Sequence, residues 1–121
     1  MGLGDKILNA VTGRNMKTVK VDAGQLAAII NDTFIQKTSS RQERDELENV
    51  LKGSQFRPKK MNSPDGKFEL YVSEFQSGLT EHRFVWVHNI ETDEFFEWNG
   101  FSLGTLKKAV QPYLLQAAVR Q

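Results

Sequence analysis

The stretch KFELYVSEFQSGLTEHRFVWVHNIETDEFFEWNGF, residues 67–101, decides how this chain is read. It holds nine of the chain's twelve aromatics: Phe68, Tyr71, Phe75, Phe84, Trp86, Phe95, Phe96, Trp98 and Phe101. Its only bases are Lys67 and Arg83, against seven acids, Glu69, Glu74, Glu81, Glu91, Asp93, Glu94 and Glu97. The rest of the chain carries fourteen bases and eight acids. A chain of formal net charge +1 is thus divided into an acidic, aromatic block and basic flanks.

Aromatic and β-branched residues favour strands, and the block reads as three of them, over 68–76, 81–90 and 94–98. The turns Ser77-Gly78 and Glu91-Thr92-Asp93 are short enough for an antiparallel meander. Side chains alternate along a strand. Phe68, Leu70 and Val72 therefore share one side of the first strand, with Glu69, Tyr71 and Phe75 on the other. Phe84 and Trp86 oppose Val85 and Val87 in the second, and Phe96 and Trp98 oppose Phe95 in the third. Neither side is cleanly polar, so both need cover. The last helix is expected over one face and the helix after Asp22 over the other. If those helices pack together instead, an aromatic patch is left for a partner.

Upstream of the block, 18–21 reads as a short strand. Asp22 and Gln25 have the spacing of a capping box, opening a helix to about residue 35 that buries Leu26, Ile29, Ile30 and Phe34. Ser40 and Glu43 repeat the box before a mostly charged helix that buries Leu47, Val50 and Leu51 and stops at Gly53. Residues 53–66, with Pro58, Pro64, Gly66 and the bases Arg57, Lys59 and Lys60, read as a basic loop. Downstream, Ser102 caps a last helix with Leu103, Leu106, Val110, Leu114 and Ala117 on one side, which Pro112 should kink or split. At the start, Leu3, Ile7, Leu8 and Val11 recur at helical spacing and Gly13 is a stop, giving an amphipathic helix over about 3–12. Its polar side, Asp5, Lys6 and Asn9, lacks a basic stripe, so it is expected to dock on its own domain rather than on a membrane. The expectation is one α+β domain over 1–121, a three-stranded meander over about 68–98 packed with N-terminal helices and a C-terminal helix.

At 121 residues the chain suits a single core. With no cysteine it can form neither a disulfide nor a thiolate zinc site, which suits a cytoplasmic location. No apolar run approaches the ~18 residues of a membrane span. Met1 to Lys6 fits neither a myristoylation signal nor a secretory leader, so the chain reads as soluble and unprocessed.

Gly100-Phe101-Ser102-Leu103-Gly104 matches the G-x-S-x-G nucleophile elbow. That chemistry needs a histidine and a carboxylate, which in the hydrolases with this elbow follow the serine. No Asp, Glu or His follows Ser102. His82 and His88 share one side of a strand but stand six residues apart, roughly 20 Å at ~3.3 Å per residue, too far to share a metal. There is no P-loop, G-x-G-x-x-G or H-E-x-x-H. No catalytic, cofactor or metal set is expected, and the reading is of a non-enzymatic protein.

From Ser40 onward the order helix, three antiparallel strands, helix resembles the double-stranded RNA-binding domain. So do Tyr71-Val72-Ser73-Glu74, Gly78 before His82, and Phe84-Val85 to Val87, over about 80 residues. In that family a lysine cluster opening the last helix after Gly-x-Ser grips phosphates. Here Leu103 and Gly104 follow Ser102, and only Lys107 and Lys108 lie a turn later. Three strands and a helix around Thr92 to Gly100 also resemble DNA binders of the plant AP2 and integrase-arm types, which lay the sheet into the major groove. The acidic charge of this sheet would repel phosphates there.

The sequence therefore points first to a small binding or regulatory protein. It would meet a basic protein partner through Tyr71, Phe75, Trp86 and Trp98, with Glu91, Asp93 and Glu94 on the rim. The alternative is nucleic-acid binding through Lys52, Arg57, Lys59, Lys60, Lys107 and Lys108.

Overall fold

The computed structural model describes residues 18–52, 59–77, 79–101 and 104–120. The expected amphipathic helix over 3–12, Arg57, and the caps at Gly53 and Ser102 lie outside these. The described residues form an α+β fold of five strands and three helices. In chain order these are β1 (Thr18–Lys20), α1 (Ala23–Ile30), α2 (Arg41–Leu51), β2 (Lys59–Asn62), β3 (Phe68–Ser77), β4 (Thr80–Asn89), β5 (Glu94–Gly100) and α3 (Gly104–Arg120).

The three expected strands form the middle of the sheet, and two more extend it to the order β1-β5-β4-β3-β2. β1 runs parallel to β5, and the other pairings are antiparallel. β2 occupies part of the segment read as a loop. Its sequence, Lys59-Lys60-Met61-Asn62, buries Met61 alone, and lysines on an edge strand discourage pairing with other chains.

Asp22 caps α1 through its carboxylate on the Gln25 amide (2.7 Å), and the Gln25 side chain accepts from the Asp22 amide (2.9 Å). The helix continues as a π-turn over Asn31–Ile35, where the Gln36 amide reaches back to the Asn31 carbonyl at 2.9 Å. The wider turn lets Thr33, Phe34 and Ile35 all be buried in succession. At α2 the Ser40 hydroxyl accepts from the Glu43 amide at 3.1 Å, but Glu43 reaches back to the Ser39 amide rather than that of Ser40.

α3 runs through Pro112 as one helix, so the split that the proline could have caused does not occur. Leu106, Val110, Leu114 and Ala117 are buried on either side of the proline. That packing offsets the roughly 3 kcal/mol that an interior proline costs.

The larger correction concerns the cover of the sheet. α1 and α3 pack against each other, and both lie on the aliphatic face formed by Leu70, Val72, Val85, Val87 and Trp98. α2 adds Leu47 and Val50 to the same core beside β2 and β3. The second face therefore carries no described helix, which is the arrangement in which an aromatic patch stands apart from the helical core.

Gly100 shows how tightly the aliphatic face is filled. A Cβ there would meet Cζ2 of Trp98, two residues back on the same side of β5, at 2.6 Å. Gly100→Ala is therefore expected to destabilise the protein by about 1–3 kcal/mol. This outweighs the roughly 0.5–1 kcal/mol that alanine gains over glycine within a strand. Thermal unfolding checks it.

Candidate functional site

The second face is built on two carboxylates. Opposite Trp86, strand pairing places Tyr71 of β3 and Glu97 of β5. The Trp86 indole N–H donates to Glu97 Oε2 at 3.1 Å, and the Lys20 ammonium meets Glu97 Oε1 at 2.9 Å. Lys20 gets there because the parallel register of β1 sets it opposite Glu97. Glu97 is only 1 % exposed, so both partners are needed to hold a charge so far from water.

Glu69 is the second hub. The Lys60 ammonium lies 2.6 Å from its Oε2. Its Oε1 faces His88 Nδ1 at 2.7 Å and accepts from the Tyr71 hydroxyl at 3.2 Å. The other ring nitrogen of His88, Nε2, lies 2.7 Å from Asp93 Oδ1. Carboxylate oxygens only accept, so both histidine contacts are hydrogen bonds when both ring nitrogens carry hydrogen.

Burial works against the charge on Glu69, but the Lys60 ammonium and then the His88 ring outweigh it and hold the carboxyl below its usual range. The hydrogen bond to Glu69 in turn holds Lys60 above the usual lysine range. Burial, followed by the Glu69 charge, pushes the Tyr71 phenol up.

Aromatic rings fill the space between the hubs. Phe84 stacks on Trp86 with centroids 5.7 Å apart, and His88 lies flat on Phe95 at 4.0 Å. Tyr71 meets Phe95 at 6.2 Å and lies under the Lys60 ammonium at 5.5 Å. His82, further along β4 on this face, contacts Phe84 and the exposed ring of Phe101.

At one end this face meets the tip of the sheet. The turn joining β2 to β3 and the turn joining β4 to β5 abut there, with the Ile90 amide donating to the Lys67 carbonyl at 3.1 Å. Asp65, Glu91, Asp93 and Glu94 are all exposed at the tip, beside Lys67 and the part-exposed Ile90. Asp93 adopts a left-handed backbone (φ 60°), and its amide closes the turn on the Asn89 carbonyl at 2.8 Å. Ser63 and the Lys67 amide hold Asp65, and these hydrogen bonds keep its carboxyl below the usual range.

Of the residues expected to bind a protein, Tyr71 and Trp86 lie side by side on the second face, with Glu91, Asp93 and Glu94 at its end. The Phe75 side chain lies outside what is described, although its backbone pairs with His82 on that face. Trp98 does not join them. It is opposite Val85 in the helical core. A three-residue turn over 91–93 would have set Trp98 opposite Trp86. The observed turn takes four residues, 90–93, and this slip of one residue exchanges Trp98 for Glu97. The slip hides Glu97 from a reading of the sequence, whereas Glu69 falls on the expected side with Tyr71 but nothing in its own strand marks it as an anchor.

The basic residues are divided as well. Lys60 is held by Glu69 on the second face, while Lys59 donates to the Asn49 carbonyl of α2 at 3.1 Å. Lys52 and Lys107 do come together, lining a cleft of about 490 Å³ between α2 and α3 with Arg83 and Leu106. Lys108 is exposed on α3. The likeness to the double-stranded RNA-binding domain ends at the meander, because β2 lengthens one edge of the sheet and β1 the other.

No protein family, curated protein or solved structure matches the chain. None of the described helices is long and apolar enough to cross a membrane. Among the described residues, no group of three or more His, Asp or Glu is placed to hold a metal ion.

Proposed function

We propose that the protein is a non-enzymatic binding protein that meets a basic segment of another protein at the tip of its sheet. The observation that carries this reading is the fixed acidic rim, in which Glu91, Asp93, Glu94 and Asp65 face solvent around Ile90. Asp93 is tied through His88 to the interior of the sheet, so the rim is held in place before a partner arrives. Negative charge at the edge of a docking surface speeds encounter with a basic partner, and an apolar centre adds contact area. The buried polar groups of the adjoining face are occupied with one another, which suits a rigid support better than a reaction centre. A cytoplasmic setting goes with this reading.

The test uses a short fluorescent peptide of alternating lysine and leucine as a probe. Binding that weakens with salt is expected, with a loss of about tenfold in affinity, or 1.4 kcal/mol, in the Glu91→Lys, Glu94→Lys double variant. Equal affinity of the variant and the parent protein overturns the proposal.

A second reading, nucleic-acid binding, draws on the cleft where Lys52 and Lys107 meet. It requires salt-sensitive binding of double-stranded RNA that Lys52→Glu and Lys107→Glu abolish while the rim substitutions leave it unchanged.

A further inference from the structure

The aromatic face has no described helix over it, yet it is closed to water. Trp86 and Phe95 are 0 % exposed, Phe84 2 %, Tyr71 9 % and His88 3 %. Neighbours within a sheet shield the edges of a side chain but not its outward end, so something must lie above these rings. The burial is that of one chain alone, with no second molecule present. The buried residues of α1, α2 and α3 all belong to the opposite core, while the aromatic cluster consists of strand residues only.

We propose that the chain's own first segment, residues 1–17, is the occupant of this face and serves as its intramolecular ligand. Leu3, Ile7, Leu8 and Val11 form an apolar stripe at helical spacing, suited to lie on Trp86, Phe84 and Phe95. Residues 3–11 would make a helix of roughly 13 Å, enough to cross about three strands at ~4.8 Å spacing. The segment also starts from the right place. Lys17 leads directly into β1, whose Thr18 pairs with Phe95 at the border of the patch. From β1 across β5 to β4 is roughly 10 Å, within the ~13 Å reach of four extended residues. The other sizeable undescribed stretch, 53–58, enters β2 at the far edge and offers Phe56 as its one large apolar side chain.

A partner that uses the aromatic rings must displace this segment, whereas one that binds the acidic rim need not. The inference rests on burial and chain length, independently of the rim proposal, and either can fail alone. The chain has no cysteine, so Asn9→Cys, on the polar side of the stripe, accepts a single nitroxide. The expected result is loss of amide signal intensity at Tyr71, Trp86 and Phe95, with the amides of Leu106, Val110 and Ala117 retained. Mixing the tagged protein with an untagged, isotope-labelled copy is expected to cause no loss. Loss on α3 instead, loss nowhere, or loss in the mixed sample, which would place a second copy on the face, each overturns the proposal. Removal of residues 1–17 from a Trp98→Phe protein gives a second reading in which Trp86 is the only indole. Its emission is expected to shift to the red and become open to iodide quenching, and a folded truncated protein with Trp86 still shielded contradicts the assignment.

Discussion

Trp86→Ala is expected to destabilise the protein by about 3–5 kcal/mol, the largest effect of any single substitution on the aromatic face. A tryptophan buries roughly 150–250 Å², worth about 4–6 kcal/mol at ~25 cal/mol per Å² before relaxation of the site. Trp86 is fully buried and stacked on Phe84, so little of that area survives truncation. The substitution also takes the indole donor from Glu97, which has only Lys20 as a further partner among the side chains described around it. Trp86→Phe separates the two contributions. It retains a ring for Phe84 but leaves one oxygen of a buried carboxylate without its donor, for about 1–3 kcal/mol. Urea unfolding of both variants checks this through their midpoints. A loss below about 1 kcal/mol for Trp86→Ala would mean that the face is not a true second core.

Glu69→Gln is expected to cost about 1.5–3 kcal/mol near neutral pH, since it weakens a hydrogen bond to a charged lysine and disturbs those to His88 and Tyr71. The pH dependence follows from the directions of the shifts. Glu69 has a carboxyl held below its ordinary value, so its contribution is present above the unfolded value of about 4.3. It is lost as pH falls through the lower folded value. Lys60 is held above its ordinary value, so its contribution is present below about 10.4 and is lost as pH rises through the raised folded value. Glu69→Gln should thus flatten part of both limbs of the stability profile at once, because one ion pair contributes to both, while the Tyr71 phenol, pushed up mainly by burial, keeps part of the alkaline limb. Asp65 and Glu43 are also held low, but they are exposed and remain in the variant, so part of the acid limb should persist. Stability measured in urea from pH 3 to pH 11 shows whether the two limbs change together.

Much of this architecture can be read from local chemistry. The Asp22–Gln25 box, the Ser40 cap and the alternating strands of the meander are short-range patterns, and each appears where its residues indicate. What could not be read depends on pairing at a distance. β2 buries only Met61 among four residues, so nothing in its own sequence distinguishes it from a basic loop. The position of Trp98 depends on whether the last turn takes three residues or four, and Ile90 looks equally suited to the end of a strand or the start of a turn. The gathering of all three helices on one face had a trace that alternation alone did not weigh. Leu70, Val72, Val85 and Val87 make that face apolar throughout, with Phe68, Phe96 and Trp98 among them, whereas Glu69, His88 and Glu97 put polar groups on the other. Aliphatic helices seal the first more cheaply, because they leave no carboxylate to desolvate.

Amide shifts of the isotope-labelled full chain, followed during titration with the lysine–leucine peptide, show whether a basic partner is held at the acidic end of the sheet. Changes are expected to concentrate at 65–68 and 90–94 and to fade as salt is raised. Changes centred instead on Lys52, Lys107 and Val110 around the cleft between α2 and α3, or no localised change at all, would contradict that placement.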